Sequence, residues 1–311
     1  MPETKTWDFV LVGELFYDEI LSGMQALPRL GEEAFARRYK REVGGGAAIT
    51  ACGLAKLGAR VAVLGVVGQD GAWLTARLNE FGVDTTLIQV SPKEPTGLTV
   101  SVSTREDRAF FSYYGANELL NMLLRDPEWI CHMCRARAVH IATSPDGELD
   151  QDLIPLLKAA ISLVSLDVQS HMSWLTSPDH LNILRSADVF FPNEIEAEWV
   201  SGESGLHRVL RGLRAKGLQR VGVKLGGKGA ALLWDQQEYF VDPFPVDTED
   251  TTGAGDCFNA GFLFAWLQGE SPQSCLRWAN VCGALSTREL GGVNGFPTLS
   301  EVHAALEVHP R

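Results

Sequence analysis

No apolar run in the chain approaches the roughly 18 residues that a membrane-spanning helix needs, so no spanning segment is predicted. Met1 to Asp8 lacks the basic start and apolar stretch of a secretory leader, and a cytoplasmic protein is expected. Positive charge is scarce. With 27 Lys and Arg against 39 Asp and Glu, a formal net charge of -12, neither a nucleic-acid partner nor an anionic membrane surface is expected. Cysteine is sparse as well, with six in all. Cys52, Cys257, Cys275 and Cys282 sit among apolar or small residues of helical stretches and read as small core side chains. Cys131 and Cys134 have the spacing of half a zinc site or a redox pair, but no second Cys-x-x-Cys follows and core filler on a helix is the expectation. Internal repeats and low-complexity linkers are absent too, so residues 1–311 are expected to form a single domain.

What is present is an alternation of strand-like and helix-like segments. Phe9 to Val12, Val61 to Val67, Ala138 to Ala142, Leu163 to Val168, Val189 to Phe191 and Val221 to Leu225 are short apolar runs rich in β-branched residues, as strands buried on both faces should be. Helices are predicted between them: Ala47 to Leu57 stops at Gly58, Ala72 to Phe81 stops at Gly82, and Leu206, Val209, Leu210 and Leu213 recur at helical spacing before Gly217. The expected fold class is therefore α/β, a three-layer α/β/α sandwich. Two stretches break the rhythm. Residues 14–42 are polar and charged, and residues 97–114 alternate like an antiparallel hairpin. They are expected to form a small β lid, with an edge hairpin of the main sheet as the other reading.

The most informative stretch is 247–262. Gly253 and Gly255 allow a tight turn that exposes successive N–H groups where a buried apolar helix begins, an arrangement that binds phosphate. Asp256 falls at that helix start, where its carboxylate can take a proton from an attacking hydroxyl while the amides of Gly253, Ala254, Gly255 and Asp256 hold developing negative charge. The chemistry this suggests is phosphoryl transfer. Gly222 to Lys228 fits the first seven places of a Walker-type phosphate loop, but Gly229 stands where a magnesium-binding hydroxyl is required, and the segment reads as a strand.

The string Asp-Thr-Thr-Gly-Ala-Gly-Asp256, followed by Phe-Asn-Ala-Gly, closely resembles the C-terminal signature of the ribokinase-like (PfkB) family of sugar and nucleoside kinases. Gly44-Gly45-Gly46 through Gly58 is similar to that family's N-terminal signature, and the resemblance spans about residues 8 to 308. It implies an ATP-dependent, magnesium-requiring enzyme that phosphorylates a primary hydroxyl of a small sugar or sugar acid, with Asp256 as base. By the same resemblance Asp18, Gly44 and Gly45 bind the acceptor. Asn193, Lys224, Gly226, Gly229 and Asn280 border the nucleotide, and Glu196 of Asn193-x-x-Glu196 holds magnesium through water. Asn193 and Glu196 would be spelled the same way by a plain helix cap. Asp250 and the loop 287–297 resemble the family's monovalent-cation site, which implies potassium, although a simple turn fits equally well. A homodimer through the lid is implied by analogy. One position departs: Ile49 stands where the family pattern has a substrate-binding Asn, so the Thr50 hydroxyl, water or a different acceptor must fill that role. A nucleoside kinase, with Phe110 to Tyr114 against a base, is the alternative activity. A non-catalytic sensor on this fold would be expected to lose Asp256 or its glycines, and it keeps both.

Overall fold

Strands that are apolar at every position need cover on both faces, and this sequence supplies the helices that give it. The computed structural model describes residues 5–104, 108–145, 150–161, 163–169 and 171–309. Strand β1 (Trp7–Gly13) leads into β2 (Phe16–Ser22) and β3 (Arg38–Gly44), then helix α1 (Gly46–Lys56) and β4 (Val61–Val67). Helix α2 (Ala72–Glu80), β5 (Ile88–Val90), β6 (Gly97–Ser103) and β7 (Arg108–Tyr113) follow. Next come α3 (Leu120–Arg125), α4 (Pro127–Cys134), β8 (Ala136–Ala142), α5 (Asp150–Ala160), β9 (Leu163–Leu166), α6 (Met172–Leu175) and α7 (Leu181–Ser186). The remainder is β10 (Val189–Phe190), α8 (Glu194–Ser201), α9 (Leu206–Ala215), β11 (Arg220–Lys224), β12 (Ala230–Trp234), β13 (Gln237–Val241), α10 (Ala254–Leu267), α11 (Pro272–Ser286) and α12 (Leu299–Val308).

The main sheet runs β13-β12-β11-β10-β9-β8-β1-β4-β5. It is parallel from β11 to β5, while β12 and β13 form an antiparallel edge. Alternation along β1 divides the core. Phe9 and Leu11 face a cluster with Leu54, Phe258, Phe262 and Leu276 from α1, α10 and α11, whereas Val10 and Val12 face Leu157, Leu184 and Leu210 from α5, α7 and α9. The result is a three-layer α/β/α sandwich with all four helix-borne cysteines named above buried and unpaired. Cys131 is exposed and Cys134 half-buried on α4. Among the described residues no helix is long and apolar enough to cross a membrane.

The segments that broke the sequence rhythm lie outside the main sheet. They form a second sheet, β3-β2-β6-β7, in which β6 and β7 pair antiparallel and β6 runs parallel to β2. The turn of that hairpin, 105–107, lies outside the described residues, as does 1–4 of the N-terminal segment. Only Glu14 and Leu15 separate β1 from β2, so the second sheet springs from the carboxyl end of the central strand. Buried Asn117 fixes that junction, its Oδ1 accepting from the Leu15 N–H at 2.9 Å and its Nδ2 donating to the Leu15 carbonyl at 3.0 Å. Farther out, Arg38 pairs with Glu249 and Lys40 donates to the Leu290 carbonyl, so β3 lies over the loops on either side of α10 and α11.

Candidate active site

Helix α10 begins at Gly253, whose φ of 71° is a left-handed conformation that suits glycine. A Cβ there would lie 2.8 Å from the Gly292 Cα and 3.1 Å from Ile49 Cγ2, so the turn also has no room for a side chain. No side chain caps this helix, which leaves its first-turn amides to a ligand or solvent. Asp256 sits in that turn. Burial, then the negative charge of Asp167, push its carboxyl up to about 7, with Lys224 pulling the other way and Glu196 adding to the rise.

Lys224 ends β11, and its ammonium bonds Asp167 Oδ2 at 2.6 Å while running alongside Gly255. Asp167, immediately after β9, also accepts from Asn259 Nδ2 of α10 at 2.6 Å. Burial would neutralise both charges. The pair resists it, because Lys224 beside Asp167 keeps that carboxyl below its usual range and Asp167 keeps the ammonium above its own. Sequence reading missed Asp167 because it closes an apolar run and reads as part of the strand. An acid at the carboxyl end of a parallel strand was the available signal.

Asp18 lies within β2 rather than in a loop after β1. It is 7% exposed, and no described residue hydrogen-bonds its carboxylate. Burial, then Asp256, Asp250 and Glu42, raise it to about 7. Gly44 makes room for it, since a Cβ there would fall 1.9 Å from Asp18 Oδ1. Gly45 caps α1 at φ 94°, where a Cβ would meet the Glu14 carbonyl at 2.1 Å. Glu14, also missed from sequence, is buried beside this turn and accepts from Thr143 and Tyr114.

Thr50 corrects one expectation. It is fully buried, and its hydroxyl donates to the Asp256 carbonyl at 3.2 Å, so it braces α10 against α1 and is not available to an acceptor. Ile49 is likewise buried, packed on Gly253 and Gly292, and its apolar side chain supports the glycine turn.

Asn193 and Glu196 form a complete capping box on α8. Asn193 Oδ1 accepts from the Glu196 N–H, while Glu196 accepts from the Asn193 backbone at 2.8 Å and from its Nδ2 at 2.7 Å. The Lys224 N–H donates to the Pro192 carbonyl, which sets this box beside the lysine. Asp250 binds its own loop, Oδ1 to the Thr252 N–H and hydroxyl and Oδ2 to the Gly291 N–H at 2.9 Å. It thereby joins the segment before α10 to the loop after α11.

A cavity of about 310 Å³ opens between α11 and the segment after β13, lined by Asp242, Phe244, Arg277, Asn280, Val281 and His309 among others. Asn280 Nδ2 donates to the Asp242 carbonyl on its wall. Gly229 backs the same wall, with its φ of 91° and Val241 O only 2.1 Å from where a Cβ would be. Gly283, one turn along α11 from Asn280, comes against the Ala254 carbonyl, so a single helix links the cavity and the first turn of α10. Gly226 sits in an exposed turn with open space around it.

The site thus combines a carboxylate in an uncapped helix turn, a lysine held beside it by a strand-end carboxylate, and a cavity one helix away. Comparison with known proteins supplies the lineage: the pfkB family carbohydrate kinase profile matches residues 10–299. The chain belongs to that family. With the family goes ATP-dependent phosphorylation of carbohydrates. Similar proteins include the ribokinase of Haemophilus influenzae, 28% identical over 96% of this kinase and 97% of the relative, and the 2-dehydro-3-deoxygluconokinase of Bacillus subtilis, 27% identical over 86% and 87%. Among solved structures, Arabidopsis thaliana ribokinase complexed with ribose and ATP superposes with a TM-score of 0.82 at 26% identity, covering 97% of this chain and 99% of that one.

The buried pair makes a stability prediction. In Lys224→Met the Asp167 charge loses its cation, which should cost about 3 to 5 kcal/mol in urea unfolding at pH 8. Without the lysine the Asp167 carboxyl is raised rather than lowered, so the loss should shrink as pH falls towards 5 and protonation removes the charge. A pH-independent loss would count against the pair.

Proposed function

We propose that this kinase transfers the γ-phosphoryl group of ATP to a primary hydroxyl of a small sugar or sugar acid, with Asp256 as general base. The observation that carries the reading is Asp256 itself, a carboxyl raised to about 7 in the first turn of an uncapped helix, with the Lys224 ammonium beside the neighbouring Gly255. A base poised near neutrality takes the hydroxyl proton as the oxygen attacks phosphorus, the bond from the γ-phosphorus to the bridging oxygen breaks, and ADP leaves. The amides of Gly253, Ala254, Gly255 and Asp256 and the Lys224 ammonium stabilise charge on the transferring group.

The nucleotide side is assigned to the cavity by Asn280 and Gly229, with Asn193 and Gly226 bordering the phosphates. Magnesium neutralises the phosphate oxygens when bound. Glu196, whose two oxygens accept from Asn193, suits an outer-sphere role through a metal-bound water. On the acceptor side, Asp18 with no hydrogen-bond partner among the described residues, and the backbone left open at Gly44 and Gly45, suit hydroxyl groups. The second sheet acts as the lid over this site. ATP as donor is in keeping with a cytoplasmic enzyme.

Asp256→Asn should lower kcat by about two to four decades with the KM for ATP nearly unchanged, and turnover within threefold of wild type would remove Asp256 from the role. Because the base must be ionised, kcat/KM for the acceptor should fall about tenfold per pH unit below about 7. An acid limb centred near 4 would contradict the burial of this carboxyl.

Asp250 spans the two loops that would enclose a potassium ion. Replacing a large organic cation with potassium should raise activity severalfold in wild type and not in Asp250→Ala. Equal rates in both salts would leave Asp250 a turn residue.

Phe111 and Tyr113, two residues apart on β7 and so on one face, are 62% and 51% exposed, which is open for aromatics on a lid strand, and we assign this face to a homodimer contact. Sedimentation should give a dimer for wild type and a monomer for Phe111→Glu. A wild-type monomer at micromolar concentration would refute the contact.

A further inference from the structure

Every side chain so far placed on the acceptor side of Asp256 accepts hydrogen bonds. Asp18, Asp256 and Glu14 are carboxylates, and the groups that most perturb Asp18, after burial, are Asp256 and three further acids, Asp250, Glu42 and Glu19. Among the described residues, Arg41 is engaged with Glu19, Arg77 with Glu42 and Lys224 with Asp167. A hydroxylated acceptor needs at least one donor, and an anionic one needs a cation.

The donor is Gln169. It stands just past β9, and its Nε2 lies 2.2 Å from the point a Gly46 Cβ would occupy, while Asp256 Oδ1 lies 2.9 Å from the same point. The amide and the base thus crowd one spot over the first residue of α1. No described residue hydrogen-bonds the Gln169 side chain, which is exposed. Its backbone is held at φ 57°, a left-handed conformation uncommon for a residue with a side chain. Asp167 Oδ1 accepts the Gln169 N–H at 3.2 Å, the His171 N–H donates to its carbonyl at 2.6 Å, and Ser144 Oγ donates to the Val168 carbonyl. A strained backbone, clamped on both sides to present an unpartnered amide next to the base, is what a binding residue requires and a filler does not.

We propose that the Gln169 side-chain amide donates to an oxygen of the acceptor next to the reacting hydroxyl, and that the acceptor so selected is an uncharged polyhydroxy sugar rather than a sugar acid. This rests on the sugar-kinase reading above and narrows it. Asp18 and Asp256 accept hydrogen bonds from sugar hydroxyls and Gln169 donates one, whereas a carboxylate on the acceptor would meet the like charge of Asp18, Asp256 and Glu14.

The test is ADP release by wild type, Gln169→Ala and Gln169→Gly with D-ribose, D-fructose, D-glucose and 2-dehydro-3-deoxygluconate. Wild type should prefer one of the three neutral sugars, and Gln169→Ala should lower kcat/KM for that sugar about 10- to 100-fold, the scale of an unpaired hydroxyl, with the KM for ATP unchanged within threefold. Gln169→Gly, which relieves the backbone strain, should lose the same activity while melting no lower than wild type. A structural residue would give the opposite pattern, lowered stability with activity per folded molecule retained. Preference for 2-dehydro-3-deoxygluconate, or a kcat/KM for the best sugar within twofold of wild type in Gln169→Ala, overturns the proposal and leaves the kinase reading standing. No turnover of any of the four by wild type sinks the sugar-kinase reading and this inference with it.

Discussion

The ion pair between Lys224 and Asp167 is the contact on which the arrangement of the site depends. It joins the ends of β9 and β11, and through Asn259 it reaches into α10, so three elements are pinned at the point where phosphate chemistry is placed. Its charge balance is uneven. One lysine faces Asp167, Asp256 and Glu196, and since Asp167 takes most of its field, Asp256 is left in a buried, net-negative setting. Burial first, and that surplus second, lift Asp256 into the range where a base is useful.

A second constraint is the absence of side chains at the start of α1. Gly44, Gly45 and Gly46 are consecutive, yet each is required by a different neighbour: the Asp18 carboxylate, the Glu14 carbonyl, and the Gln169 amide with Asp256. Farther along, Gly53 lets α1 approach Ala260 of α10 and the Phe296 ring. Backbone is therefore brought close to backbone on both sides of the site, which holds Asp256 near enough to Asp18 to raise the cost of charge on Asp18.

Much of this was legible in the sequence because the periodicities were clean. Buried parallel strands announce themselves as β-branched runs, and the turn into α10 is spelled by glycines that few other conformations require. What stayed hidden depends on facing rather than pattern. Asp167 was absorbed into the apolar run Leu163 to Val168, and Gln169 lies in a loop whose course only the packed structure defines. Thr50 and Ile49 are neighbours on one helix, and only the packing of α1 on α10 shows that the hydroxyl braces a carbonyl while the isoleucine supports the glycine turn. Asn193 and Glu196 could not be divided by spelling, since a capping box and a nucleotide element use the same letters. In the structure the box is complete, and it is set beside Lys224.

The central position of β1 bears on how the chain is made. Its partners are β4 on one side and β8 on the other, with Trp7 opposite Ala136 and Phe9 opposite Val61. During synthesis one edge of this strand, apolar from Phe9 to Val12, stays bare until more than a hundred further residues have emerged, with the second sheet assembling on its carboxyl end in the interval. Such long-range parallel pairing is slow, and an unpaired apolar edge is a template for other chains. The same central strand that leads into the acceptor site is therefore this protein's main exposure to misassembly on the ribosome, and its yield in a cell will depend on what shields residues 7–13 until β8 arrives.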